Sequence, residues 1–285
     1  MRAWGGERSP HSASAARLLT SAEGRGKEVG FSLIELSIVL VILGLLVGGI
    51  LAGQSLIRAA ELRSVTTDFS RYQSSIFTFR DKYFALPGDM TNATAFWGAA
   101  NATPATCRTT SSATAATCDG NGDGAIFTMD GWTTMSEMFH AWKHLSNAGL
   151  IEGSYTGVSG GGGIRHHVPG QNAPKGRLAN GCFSFMPYPN STLTADANLF
   201  DGNYGNGIIY GGATTTLECA TGLMTPDEAW GIDVKRDDGK PAYGMVRIGK
   251  SAATTCITTN AANTSEYNFT NNTNSCVPIF MNDSR

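Results

Sequence analysis

From Phe31 to Ala52 the chain reads FSLIELSIVLVILGLLVGGILA, twenty-two residues whose only charge is Glu35. A helix of that length covers about 33 Å, enough for the ~30 Å hydrocarbon core of a bilayer. A secretory signal peptide has a shorter apolar core closed by a small-residue cleavage site. No such site ends this run, so the segment is expected to stay with the mature chain. Glu35 is the odd residue. An ionised carboxylate inside an apolar helix is costly unless it is paired or neutralised. The plainer reading is an interfacial glutamate at the helix end, since a basic stretch lies just before it.

Downstream, Leu62, Val65, Phe69, Tyr72, Ile76, Phe79 and Tyr83 recur at spacings of three and four. That periodicity predicts one buried helix face, and Pro87-Gly88 stops it. A single helix from Phe31 to about Phe84 would be roughly 80 Å long. Gly44, Gly48, Gly49 and Gly53 either permit close helix packing or are ordinary membrane glycines.

Charge and cysteines orient the chain. Residues 1–30 carry five Lys/Arg against three Glu, whereas residues 31–285 carry sixteen against twenty Asp/Glu. No basic patch points to nucleic acid. Cys107, Cys118, Cys182, Cys219, Cys256 and Cys276 all follow the apolar segment, which points to an oxidising compartment and disulfides. Sequence leaves their pairing open; nearest neighbours would give 107–118, 182–219 and 256–276. A metal site is the alternative, but no pair has CxxC spacing.

Gly30-Phe31-Ser32-Leu33-Ile34-Glu35, with Arg25 and Lys27 before it and the apolar run after it, resembles the processing motif of type IV prepilins and type II secretion pseudopilins. The resemblance is specific over residues 25–60 and architectural beyond. It implies cleavage between Gly30 and Phe31 by a membrane aspartyl prepilin peptidase, which also methylates Phe31. It further implies that Glu35 neutralises the Phe31 amine of a neighbouring subunit during assembly. The leader departs from the family pattern in its thirty-residue length and in Glu28 beside the cut.

Within the Ala/Thr/Asn/Gly-rich stretch 88–125 lies Asp119-Gly120-Asn121-Gly122-Asp123-Gly124-Ala125-Ile126, with Asp130 eleven residues after Asp119. The pattern matches a calcium loop: oxygen ligands at Asp119, Asn121, Asp123, Ala125 (backbone) and Asp130, with Gly124 at the sharp turn. Asp130 replaces the usual glutamate, and no helix is expected before the loop. The same residues equally favour a plain turn; Glu137 is a candidate extra ligand. Thr133–Asn147 reads as a short amphipathic helix, with His140 and His144 at its surface or partly buried. His166 and His167 follow four glycines and read as a mobile loop. Strands are expected at 181–186, 207–210 and 244–248. A helix capped by Thr225 with Pro226 at its first position should run to about Arg236. The tail from Cys256 to Cys276 reads as a disulfide-closed surface loop.

The expected fold is α+β: a long N-terminal spine helix, transmembrane in its first half, packed on a small antiparallel β-sheet domain with long loops. Residues 1–30 form a leader that is removed, 31–52 the transmembrane half, 53–86 the periplasmic half, and 87–285 the globular domain. The expected function is a structural, low-copy subunit of a type IV pilus-like filament or type II secretion pseudopilus. Its partners would be the prepilin peptidase/N-methyltransferase, other pilins or pseudopilins, and an inner-membrane assembly platform. It would sit in a bacterial inner membrane with its C-terminal domain in the periplasm. A filament-tip adhesin is the alternative. Enzyme function is not expected, and no HExxH motif is present. Calcium is the one candidate cofactor.

Overall fold

The computed structural model describes residues 30–103, 107, 109–127, 136–186, 192–193, 197–249 and 255–282. It divides into two compact units, the first ending at Ala52 and the second comprising Gly53–Arg285. Helix α1, Leu33–Tyr83, contributes to both. Its part in the first unit is apolar and solvent-exposed throughout, long and apolar enough for a single membrane span.

The second unit is an α+β domain. After α1 come α2 (Ala93–Trp97), α3 (Glu137–Asn147), β1 (Gly181–Phe185), β2 (Thr192–Leu193), β3 (Gly202–Asn203), β4 (Ile208–Gly212), α4 (Pro226–Arg236), β5 (Val246–Ile248) and β6 (Pro278–Phe280). The main sheet is antiparallel with order β1-β4-β6-β5, and β2 pairs with β3 separately. Long loops connect these short elements. The expected α+β architecture is therefore the observed one.

The stripe on α1 does what its period requires. Val65, Phe69, Tyr72, Ile76 and Phe79 are buried, while Leu62 and Tyr83 flank them half-buried. Phe69 stacks on Phe280 of β6 at 4.6 Å between centroids. Tyr72 meets Trp142 of α3 and Phe183 of β1 edge-on, at 5.2 and 5.0 Å. On the sheet's other face Ile209 and Ile279 join Met186, Leu199 and Tyr204 in a smaller cluster. Alternation along each strand separates these two cores, because successive side chains point to opposite faces. Helix α1 stops before Pro87: Phe84 takes a φ of 54°, and its N–H donates to Arg80 O at 2.8 Å.

Three disulfides, Cys107–Cys118, Cys182–Cys219 and Cys256–Cys276, staple the domain, and no described cysteine is free. They follow the nearest-neighbour pattern. Cys182–Cys219 closes the longest of the three loops, with a sequence separation of 37, where a cross-link most restricts the unfolded chain.

Helix α4 starts as its sequence indicates. Thr225 Oγ1 accepts from Glu228 N at 3.3 Å, and Glu228 Oε2 accepts from Thr225 N at 3.0 Å, a complete capping box. The same carboxylate also receives Arg58 of α1 in bidentate fashion, Nε to Oε1 at 2.6 Å and Nη2 to Oε2 at 2.7 Å. Arg58 Nη2 donates further to Leu223 O at 2.7 Å. Burial would raise the Glu228 carboxyl, but Arg58 and the Thr225 N–H outweigh it and hold it below the ordinary range. Glu228→Ala should therefore cost about 1–2 kcal/mol, the sum of a lost cap and a half-buried ion pair. Urea unfolding of the detergent-solubilised chain measures this, and an unchanged midpoint would refute the linkage of α1 to α4.

Candidate functional site

Two places carry chemistry: the start of α1 and an acidic loop on the domain. At the first, Gly30, Phe31 and Ser32 lie outside the helix and are exposed, with Phe31 85% exposed. Ser32 Oγ accepts from Ile34 N at 3.2 Å, and Glu35 Oε2 accepts from Ser32 N at 2.8 Å. Ser32 thus caps α1 through the Ile34 N–H, and Glu35 reaches back to the Ser32 N–H as the N3 residue of a capping box does, a Ser-x-x-Glu signal readable in the sequence. A Cβ built on Gly30 meets nothing within 4 Å, and the same holds at Gly44, Gly48, Gly49 and Gly53. Among the described residues, nothing requires glycine at these five positions.

The acidic loop is built on Asp89, which follows the turn that ends α1, and on Glu137 at the start of α3. Both are buried. Asp89 accepts Asp123 N and Gly124 N, each at 3.0 Å, on its two oxygens. Glu137 accepts Asn121 N at 3.1 Å and Phe127 N at 3.3 Å. The loop between Asn121 and Phe127 is thereby wrapped around two carboxylates. Gly120 allows the approach, since a Cβ there would collide with the Asp89 backbone. Asn206 secures the outer side, accepting from Ile126 N at 2.7 Å and donating to Gly124 O at 3.1 Å. Next to the loop, the Cys107–Cys118 bridge ends at Cys118, immediately before Asp119.

One carboxylate oxygen from each of Asp89, Asp123 and Glu137 lies within 4.8 Å of the others. Of the residues expected from the calcium-loop pattern, Asp123 is in this group and Glu137 joins it. Asn121 stands beside it, its Nδ2 donating to Asp123 Oδ2 at 2.9 Å. Ala125 N donates to Asp123 Oδ1 at 2.8 Å. Asp119 is engaged elsewhere: its two oxygens accept Thr94 N at 2.7 Å and Thr94 Oγ1 at 2.9 Å, at the start of α2. Asp130 lies outside the described residues. Asp89, thirty residues upstream of Asp119, was not among the expected ligands, and no local motif marks it. A second carboxylate group, Asp233, Asp237 and Asp238, sits at the end of α4, where Asp233 Oδ2 accepts from Tyr267 OH at 2.8 Å.

His140, His144 and His167 are core residues, which corrects the expected surface or partly buried placement of the first two, while His166 is half-buried and its Nδ1 accepts Gly162 N at 2.9 Å. His144 is fully buried, accepts Gly88 N on Nδ1 at 2.9 Å and contacts Thr117 Oγ1 through Nε2 at 2.9 Å. Burial holds its imidazole well below the usual range, with His140 adding to the effect. His140 is buried against Ser136 O, and His167 is buried against Phe139. Helix α3 is amphipathic in sequence, yet it is enclosed on nearly all sides, and even Lys143 is buried, its Nζ donating to Ser112 O at 2.8 Å.

No protein-family model matches the chain, and neither a curated protein nor a solved structure matches it significantly. The general plan is nonetheless pilin-like: a long apolar N-terminal helix whose later turns pack on a small antiparallel sheet.

Burial pushes the Glu137 carboxyl up to about 7, reinforced by the charges of Asp89 and Asp123 and offset in part by the Asn121 and Phe127 N–H groups. Its folded value lies above its unfolded one, so the stability it contributes is present at low pH. That contribution is lost as pH rises through about 7. In chelator, the wild type should therefore lose up to about 3 kcal/mol relative to Glu137→Gln between pH 5 and pH 8. Parallel denaturant titrations at the two pH values measure this; a constant difference would place the titration elsewhere.

Proposed function

We propose that the chain is a low-copy structural subunit of a type IV pilus-like filament or a type II secretion pseudopilus, assembled after cleavage at Gly30–Phe31 and N-methylation of Phe31. One observation carries the reading. An unbroken, fully exposed apolar helix begins directly after Gly30-Phe31-Ser32-Leu33-Ile34-Glu35 and leads into a disulfide-stapled α+β domain. Exposure of that many large apolar side chains demands a bilayer or neighbouring helices. Gly30, Gly44, Gly48, Gly49 and Gly53, where an added Cβ would meet no described residue, are compatible with this reading. Gly30 suits a peptidase's requirement, and the other four suit close approach of other helices.

In this reading the leader is removed by a prepilin peptidase/N-methyltransferase. The mature subunit is held in the bacterial inner membrane with its disulfide-bonded domain in the periplasm, and other pilins or pseudopilins and an inner-membrane platform are its partners. Cleavage creates a cationic amine on Phe31 at the positive end of the α1 dipole, and Glu35 in the first turn is placed to offset it. A neighbouring subunit's amine would meet the same carboxylate in the filament. Intact-mass and N-terminal peptide mass spectrometry of the membrane fraction should find N-methyl-phenylalanine at Phe31. A mature N-terminus anywhere else overturns the proposal.

Calcium is the cofactor this reading assigns to the domain. Asp89, Asp123 and Glu137 offer only hard oxygen donors, which suit calcium rather than a thiolate- or imidazole-seeking metal. Two of the three are buried carboxylates whose charge the protein solves only in part with backbone N–H groups, so a cation there would complete their compensation. Calcium would cross-link the end of α1, the loop and α3. Its removal by chelator at pH 8 should lower the unfolding midpoint of the wild type by several degrees and leave Asp89→Asn unaffected. Equal midpoints for the wild type with and without chelator would remove calcium from the assignment.

A further inference from the structure

The start of α1 contains a competition between two acceptors for one N–H. If the helix ran one turn further upstream, Ile34 N would donate to Gly30 O, the i to i−4 partner, and Glu35 N would donate to Phe31 O. The structure shows a different arrangement. Ser32 Oγ takes the Ile34 N–H at 3.2 Å, and Glu35 Oε2 takes the Ser32 N–H at 2.8 Å. The first helical bond therefore runs from Leu36 N to Ser32 O, at 3.1 Å. Gly30, Phe31 and Ser32 are left outside the helix, exposed, and no described residue donates to the Gly30 carbonyl.

We propose that Ser32 is a positioning residue for the cut between Gly30 and Phe31. This inference rests on the processing reading above and names the device that presents its scissile bond. By occupying the Ile34 N–H, the Ser32 hydroxyl keeps that donor from the scissile carbonyl. Hydrolysis adds water to the Gly30 carbonyl carbon and breaks the C–N bond. The hydroxyl stays with Gly30 as a carboxylic acid that ionises, and a proton goes to the Phe31 nitrogen. A peptide bond wound into a helix must unwind before a peptidase can grip it and bring water to its carbonyl carbon. Glu35 serves the same end from its other side. Its carboxylate closes the box through the Ser32 N–H, while Oε1 makes no hydrogen bond to a described residue. The same carboxylate is thus in place to meet the amine once the cut has created it.

The test uses the full, unprocessed chain in liposomes with a membrane aspartyl prepilin peptidase, and follows the appearance of the Phe31 terminus by mass spectrometry. Ser32→Ala removes the cap and favours helix at that position. It should slow cleavage by about fivefold, the population change that loss of one N-cap supplies. Ser32→Thr and Ser32→Asn, which can still cap, should restore the rate. Amide hydrogen exchange over residues 30–36 supplies the second readout. In Ser32→Ala the Ile34 N–H should move from a side-chain to a backbone acceptor, and the Glu35 N–H should gain the Phe31 carbonyl, seen as new protection at Glu35. Cleavage of Ser32→Ala at the wild-type rate overturns the inference. So does slow cleavage with an unmoved helix start, or without rescue by Thr and Asn, since either assigns Ser32 to direct recognition by the peptidase. A wild-type chain that is not cut at Gly30–Phe31 instead overturns the processing reading itself.

Discussion

The contact between one face of α1 and the sheet is the constraint on which the rest of the domain depends. Phe69 lies flat on Phe280, and Tyr72 sits in the corner between Trp142 and Phe183. The strands are three to five residues long in the main sheet, too short to be stable as an isolated ribbon. They acquire a hydrophobic face to bury only because α1 supplies Val65, Phe69, Tyr72, Ile76 and Phe79 at the right spacing. Each aromatic ring so enclosed removes on the order of 150–250 Å² from water. Arg58 and Glu228 extend the same attachment beyond the apolar stripe, tying α1 to the capped end of α4.

That one helix therefore answers to two solvents. Between Val65 and Phe79 its composition alternates apolar and polar on a 3.6-residue period, as a helix resting on a core must. Between Leu33 and Ala52 it is apolar all round, which no one-sided soluble packing requires. Polar side chains on the outer face of the later turns bond back to their own helix: Thr66, Ser70, Ser74 and Thr78 each donate to a carbonyl three or four residues earlier. Ser70 Oγ additionally accepts from Arg236 Nη1 of α4 at 2.9 Å. The earlier turns have no such internal solution, since an exposed leucine can be satisfied only by leaving water.

Much of this was legible because it rests on local rules. The α1 stripe, the Thr225-Pro226 start of α4 and the strand at 181–185 each follow from periodicity or capping chemistry within a dozen residues. The central strand β6 was not read. Val277-Pro278-Ile279-Phe280 is short, and its proline argues against a strand until Pro278 is seen to occupy the first position. The acidic group was half legible. Asp123 stands in a recognisable loop, but Asp89 joins it through tertiary packing across more than thirty residues, with no local signal. Asp119, first in the linear pattern, is claimed instead by Thr94 at the start of α2. Linear ligand spacing presumes a helix–loop–helix frame, and here the loop hangs from an α+β domain by a disulfide and two buried carboxylates. The buried histidines misled for a related reason: the polar residues of α3 find partners inside the fold, so polarity did not mark an outer face.

Glu35 shows most clearly how structure alters an inference drawn from composition. Taken as a charge within an apolar run, it demands an opposite charge from somewhere. Placed at the helix start, it already has a partner in the Ser32 N–H, and it lies in the first turn, where a carboxylate favours the helix dipole. Solvation alone therefore does not oblige it to find a cation. Charge balance does so only after a new amine appears next to the same turn, because that cation faces the positive end of the helix. The order of events follows from this. Under the proposed cleavage, the carboxylate would complete a cap before the cut and answer a charge after it, its open oxygen permitting the second role without giving up the first. An aspartate, one methylene shorter, would be less able to reach back to Ser32 N. A glutamine could close the box but carry no charge, and the two duties together select glutamate.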